Sequence, residues 1–378
     1  MQITDISAYP LRCELERPFS YTQKWFTHRT ALLVKITTDD GTVGWGDVFC
    51  HDAGPALAVL IERTYAPLLK GRNPLDIAVL WDMIYNWTKD YGQKGLTTAA
   101  LSGIDIALWD IFGKTTGLPI SQLLGGAFRD RVQGYATGLY RVQSDDVLNH
   151  LVEEARGYVE QGFRAVKMKV GFGVQEDIRC VRAIRQAIGH GIDLMVDANH
   201  AYDVPSAIRL GRVLEEVGVA WFEEPVSPED IEGYCAVRQA LDIPIAGGEA
   251  EFTRYGFRRF VCAGAVDIVQ PDICIAGGIS EGIKIADLAR TWHVRCLPHV
   301  WGTAVGLAAS LHYIAALPDT PPSLNPQPMV LELDQTEHAL RHITKEPIRF
   351  ENGFVHVPDG PGLGVEVDES RLMPYLID

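Results

Sequence analysis

Three acids fall where strand-like runs stop. Asp197 ends DLMVD, Glu223 follows AWF, and Glu249 closes IPIAGGE. The spacing is 26 residues in both steps, about the length of a strand, a helix and two loops. If those strands lie side by side and parallel, the three carboxylates share one mouth. There they repel one another unless positive charge lies between them. Hard carboxylate oxygens favour Mg²⁺, which takes about six oxygen ligands and keeps positions for water or substrate. Each acid alone also reads as a helix cap after its strand, but three at matched positions favour a single metal ion.

Further polar residues fall at equivalent places. Lys167 and Lys169 in VKMKV are two apart, so on a strand both point to one side. Their neighbours Ala165, Val166, Met168 and Val170 make that strand a buried one, not a solvated edge. Two buried lysines beside a cation are expected to depress each other's proton affinity, leaving one as a base at neutral pH. Asp272 ends VQPD and His299 ends VRCLPH, which suggests a histidine oriented by a carboxylate on the adjacent strand. Asn199 and His200 follow Asp197 at the same rim, where they can meet substrate. A cation with open positions, a lysine on one side and a His–Asp pair on the other suit removal of a proton next to a carboxylate.

The elements that position these groups follow from the pattern. ALLVKITTDDGTVGWGD is two strands around an Asp40-Gly41 turn, and residues 55–115 are helical. Of these, TTAALSGIDIALWDIFGKTTG opens on a threonine cap and closes near Gly117. This part reads as a small α+β domain over residues 1–126. From there to about residue 322, strand and helix alternate: VQGYATG, AVKMKV, DLMVDAN, AWFEEP, PIAGGE, DIVQPDI and VRCLPHV, with a short eighth candidate in PMVLEL. Between them lie helices such as EDIRCVRAIRQAIG and SPEDIEGYCAVRQAL, the latter expected to start on a serine cap with Asp230 completing a capping box. Alternation implies parallel strands with right-handed crossovers, closing as a (β/α)₈ TIM-type barrel with its site at the strand C-termini. An open doubly wound sheet is the alternative, but no G-x-G-x-x-G follows an early strand. Residues 323–378 supply the last barrel strand and a turn-rich tail expected to return to the N-terminal part and complete the capping domain.

Composition narrows the partners. The chain has 378 residues, 47% of them hydrophobic, and a net charge of −15, which argues against nucleic acid but not against an anionic substrate held through a cation. Seven cysteines without a C-x-x-C pair read as free thiols in a reducing compartment. The first residues lack the pattern of a signal peptide, and the run TAVGLAASLHYIAALP is shorter than the ~20 residues that span a bilayer. The expectation is a cytoplasmic protein that binds neither membrane nor nucleic acid.

The motifs GTVGWGD, SGIDIALWDIFGKTTGLPISQLLGG, VKMKV, VDAN, WFEEP, GGE, QPD and PHVWGT together resemble the enolase superfamily, mandelate racemase subgroup. The resemblance spans nearly the whole chain. It implies one Mg²⁺ per subunit on Asp197, Glu223 and Glu249, with Lys169 as one base and the Asp272–His299 pair as the second. Lys167 would help hold the substrate carboxylate. Glu332, in PMVLEL, joins Asn199 and His200 as a substrate-binding candidate. YGQKGLTTAALSGIDIALWDI, KMKVGFGVQEDI, VDANHAY, AGGISE and PHVWGT are similar to members that open sugar-acid lactones by β-elimination. The implied partner is a sugar acid or its lactone, and a homo-oligomer is expected. Sugar-acid dehydratases, and epimerases or racemases, use the same parts. A binding protein without catalysis would have lost at least one of them. AGGEAEFTRYG and RPFSYTQKWFTHRT depart from the cycloisomerase pattern, and cap loops select substrate. Residues 17–30 are therefore expected to form a mobile loop that brings Tyr21, Trp25 or His28 to the substrate.

Overall fold

Gly41, in the left-handed region at φ +85°, turns the chain between Trp25–Thr38 and Val43–Val48, which pair antiparallel. Ile3–Ser20 pairs along the other edge of Trp25–Thr38, and the short Arg141–Val142 extends the sheet to four strands. The long helix Leu96–Thr116 lies against this sheet. Two glycines permit the approach: a Cβ on Gly46 would stand 1.8 Å from the Gly103 carbonyl oxygen. The helix closes on Gly117 as expected, but it begins after Gly95 with no side-chain cap. Thr97 instead donates its hydroxyl backward to the Gly92 carbonyl, at 2.7 Å. By length and composition this helix could cross a membrane, but 78% of its apolar window is buried, so it is the core helix of the cap.

The computed structural model describes residues 1–377. Its second body is a ring of parallel strands: Arg131–Thr137, Ala165–Lys169, Asp193–Asp197, Phe222–Glu223, Ile245–Gly247, Ile268–Val269, Arg295–Cys296 and Val330–Asp334. Val330–Asp334 pairs in parallel with Arg131–Thr137, which a barrel requires and an open sheet does not. A helix follows each of the first seven strands, while the eighth is followed only by the short 3₁₀ turn Ala339–His342. The helix after the fourth strand starts at Ile231, not at the serine. Asp230 is its cap, accepting from Gly233 N at 2.8 Å, and Ser227 turns to Glu229.

The tail serves both bodies. Phe350–Glu351 and Phe354–His356 form a hairpin that pairs antiparallel with the start of the first barrel strand. Beyond it Leu363 N donates to Asp110 of the long cap helix at 2.9 Å, and Leu376 bridges to Leu11. Two buried cap carboxylates also crown barrel helices. Asp47 accepts from Thr303 N (2.7 Å), Thr303 Oγ1 (2.7 Å) and Gly306 N (3.1 Å) at the start of Ala304–Ala316. Asp105 accepts from Ser280 N at 2.9 Å in the first turn of Gly278–Thr291. Those orphan amides favour an acid, yet burial outweighs them and pushes Asp47 up to about 6 and Asp105 up to about 7.

Candidate active site

Strand register brings the acids and lysines together. The ladders set Lys169 beside Asp197 and Asp197 beside Glu223. One oxygen each from Asp197, Glu223 and Glu249 lies within 4.8 Å of the others. The backbone bends sharply here: Asn199, His200 and Glu224 all have positive φ, at 41°, 55° and 44°. Such strain in non-glycine residues is commonly held at functional sites. It aims Asn199 N at Asp197 Oδ1, 2.8 Å away. Glu223 accepts from Trp221 Nε1 at 3.0 Å and Gln270 Nε2 at 2.8 Å, which fixes its carboxylate plane.

The two lysines divide. Lys167 is fully buried and lies 2.7 Å from both Glu223 and Glu332. Lys169, one step nearer the strand end, pairs with Asp197 and faces the cavity. Burial works to lower both lysines, but Glu223 and Glu332 hold the Lys167 ammonium well above its ordinary range, and Asp197 raises Lys169. Lys167 does work to lower Lys169, as expected, but until a cation joins the acids the carboxylates at contact distance outweigh that repulsion. Across the mouth, His299 Nδ1 is 2.8 Å from Asp272 Oδ2, and its Nε2 is 3.6 Å from Glu249 Oε2. Burial opposes the charged imidazole, yet Glu249, Glu332 and Asp272 raise His299 to about 10.

The residues present fit a hard divalent cation. Glu249 Oε2 and Asn199 Oδ1 are buried oxygens without a hydrogen-bond partner, and burial beside other acids pushes the Glu249 carboxyl well up. All three grouped acids offer oxygen, the donor that Mg²⁺ prefers. Above them opens a cavity of about 310 Å³, lined by Lys169, Asn199, His200, Glu249 and His299 below and by cap aromatics above.

Comparison with known proteins agrees with this geometry. Residues 5–125 match the mandelate racemase / muconate lactonizing enzyme N-terminal domain, and residues 150–371 match the enolase C-terminal domain-like family. The chain belongs to the enolase superfamily. D-galactarolactone cycloisomerase of Agrobacterium fabrum is 45% identical over 99% of both chains. Arabinonate dehydratase of Saccharolobus solfataricus is 37% identical over 90% of this chain and 89% of its own. The crystal structure of 3,6-anhydro-D-galactonate cycloisomerase from Zobellia galactanivorans covers all of both chains at 44% identity and a TM-score of 0.90. The chain is therefore an enzyme of a superfamily branch whose relatives are cycloisomerases and dehydratases of sugar acids.

Among the substrate-binding candidates of this superfamily member, Asn199, His200 and Tyr21 line the cavity. His200 is also held by Glu224 at 3.0 Å, the acid that strand alternation turns away from Glu223. Glu332 does not line the cavity. It sits beneath, accepting from Thr137 Oγ1 at 2.7 Å and pairing with Lys167, which is likewise outside the lining. Residues 17–30 form no free loop. They are the end of the hairpin between Ile3–Ser20 and Trp25–Thr38, with Phe19 paired to Phe26 and only 21–24 in the turn. Strand parity then sends Phe26 inward and leaves Trp25 44% exposed. His28 turns to Asp52 at 2.7 Å, so neither Trp25 nor His28 reaches the main cavity. Sequence reasoning missed His51, Tyr140 and Trp301, which do line it. Tyr140 and Trp301 follow the first and seventh barrel strands, so the rule that found Asp197 applies to them too.

Proposed function

We propose that the enzyme removes the proton next to the carboxylate of a sugar acid and completes a β-elimination, opening a sugar-acid lactone to a 3-deoxy-2-keto acid. The observation that carries this reading is the pairing of two candidate bases, Lys169 and His299, across one cavity beside the grouped oxygens of Asp197, Glu223 and Glu249. Bound among those oxygens, Mg²⁺ supplies positive charge that offsets the acids and stabilises negative charge developing on the substrate carboxylate. Asp197, once it shares its charge with the cation, holds the Lys169 ammonium less strongly, and the neutral Nζ takes the α-proton. Asp272 fixes the His299 ring through Nδ1, so that Nε2 is directed at the cavity to move a proton on the other face. Lys167, itself paired with Glu332, holds Glu223 from below. Tyr21, Phe26 and Trp301 cover the mouth and exclude water. The A. fabrum cycloisomerase supports lactone opening as the outcome.

Incubation in D₂O tests the assignment. Lys169→Ala is expected to abolish both exchange of the α-proton, followed by NMR, and release of keto acid. Retention of exchange in Lys169→Ala together with its loss in His299→Asn would make the His299–Asp272 pair the initiating base. Undiminished turnover in both variants would remove proton abstraction from the mechanism.

A further inference from the structure

Beside the main cavity lies a smaller compartment of about 90 Å³, walled by Lys24, His28, Arg29 and Asp52 of the cap. The two adjoin across Phe26, Phe49, His51 and Trp301, which line both. Their charges differ. Among the described residues lining the main cavity, Lys169 is the only lysine or arginine, and Asp197 already holds it. Among the described residues lining the two spaces, the one lysine or arginine without a carboxylate partner is therefore Lys24, in the smaller compartment.

Two cations are available there. Lys24 has no carboxylate partner within ion-pair distance among the described residues, and its ammonium stands 4.7 Å from the centre of the Phe26 ring. Arg29 is buried, stacked 4.0 Å over Trp301, and reaches Asp334 and Thr336 through Nη2. Its Nε and Nη1 are buried without a partner, an arrangement that costs free energy unless a ligand completes it. The compartment's one carboxylate, Asp52, is taken by His28. His51 stands at the boundary with a left-handed backbone, φ +45°. Its ring lies between Phe26 and Phe49, with centroids 5.9 and 4.7 Å away. Burial, reinforced by Lys24, lowers His51 to about 4, so near neutral pH the ring offers one donor and one acceptor.

We propose that Lys24, Arg29 and His51 form the receptor for the second carboxylate, the one that ring opening releases at the far end of the substrate. This deepens the lactone-opening reading and rests on it. When the base takes the α-proton, the electron pair of the C–H bond forms the new double bond. The bond from the β-carbon to the lactone ring oxygen breaks, and its pair stays on that oxygen. In the lactone of a diacid that oxygen belongs to an acyl group, so it leaves as a carboxylate and requires no proton. The enol then gains a proton on the former β-carbon as its hydroxyl loses one, giving the keto diacid, and the proton on the base passes to solvent. Negative charge thus appears at the far end only as the ring opens, and a cationic receptor there favours the transition state over the bound lactone.

Binding tests this without turnover. The Mg²⁺-loaded full chain is titrated calorimetrically with galactarate, an open-chain dianion, and with galactonate, its singly charged counterpart. Galactarate is expected to bind roughly 10- to 100-fold tighter, the worth of one charge-assisted hydrogen bond. Lys24→Gln and His51→Gln are expected to narrow that gap. Lys24 has no ion pair to lose, and a thermal melt checks that both variants are folded. Equal affinity for the two acids in the parent protein, or a gap that neither substitution narrows, overturns the proposal. On galactarolactone, Lys24→Gln is expected to lower kcat more than it raises KM; a change in KM alone also overturns it. Absence of keto acid from any sugar-acid lactone sinks the lactone-opening reading itself, while the galactarate preference still decides the compartment.

Discussion

Lys167 holds two buried carboxylates, Glu223 and Glu332, at 2.7 Å each, with none of the three groups more than 1% exposed. Lys167→Met removes the cation, keeps most of the volume and leaves both acids to repel each other. The structure sets the size of the effect. Burial would raise Glu332, but Lys167 leads the positive charges that bring it from 4.5 down to about 2. A shift of that size corresponds to about 3 kcal/mol of stability. Because the folded value lies below the unfolded one, that stability is present above about pH 4.5 and is lost as pH falls towards 2. Breaking a buried pair generally costs about 3–5 kcal/mol, which agrees. For a chain of this length that is roughly 4–6 °C in Tm if it unfolds as one unit. The assay is calorimetry of parent and Lys167→Met at pH 7 in chelator, repeated with excess Mg²⁺. Mg²⁺ at about 100 times its Kd adds about 2.7 kcal/mol to a protein that binds it. An unchanged Tm in chelator would refute the argument, because the two acids would then tolerate burial without their cation.

Glu223→Gln is expected to weaken Mg²⁺ binding at least tenfold in a calorimetric titration and to abolish turnover while keeping the circular dichroism spectrum. If Glu224→Gln does this and Glu223→Gln does not, the acid facing the mouth is the neighbour. Gly46→Ala drives a Cβ to 1.8 Å from the Gly103 carbonyl and is expected to leave little folded protein, read as soluble yield and loss of near-UV signal. Asp47→Ala leaves Thr303 N, Thr303 Oγ1 and Gly306 N without their buried acceptor and is expected to cost about 2–4 kcal/mol in urea unfolding. Asp47 titrates higher in the fold than in the unfolded chain, about 6 against 3.8, so its contribution falls as pH rises through 6. The deficit should therefore be larger at pH 4.5 than at pH 8; the reverse order would contradict the burial argument.

The grouped acids were legible because each ends a strand, and a parallel barrel delivers strand ends to one mouth. His299 and Asp272 were legible for the same reason. The cap was harder. Whether Trp25 or Phe26 faces inward depends on the register between Ile3–Ser20 and Trp25–Thr38, which the hairpin's own residues do not reveal. The partner of Lys167 lies on the eighth strand, 165 positions along the chain from it, and no local pattern joins Lys167 to Glu332. Burial of Arg29 follows from Trp301 and Asp334 meeting over it, again a consequence of closure. His51 directly follows the buried strand run of GWGDVFC, and a polar residue at that position is the signal that could have singled it out.

The tail's return to the cap has a consequence for how the protein is made. On a ribosome the cap strands emerge before the barrel, yet Leu11 waits for Leu376, Pro10 for Ile377 and Arg29 for Asp334. The nascent chain must carry an unfinished sheet through synthesis of the whole barrel. The aromatic cover of the mouth, which includes Trp301, can assemble only after the seventh barrel strand has been made. A ribosome stalled beyond the barrel strands would thus release a barrel under an incomplete lid, a product that quality-control proteases should recognise by its unpaired cap edge.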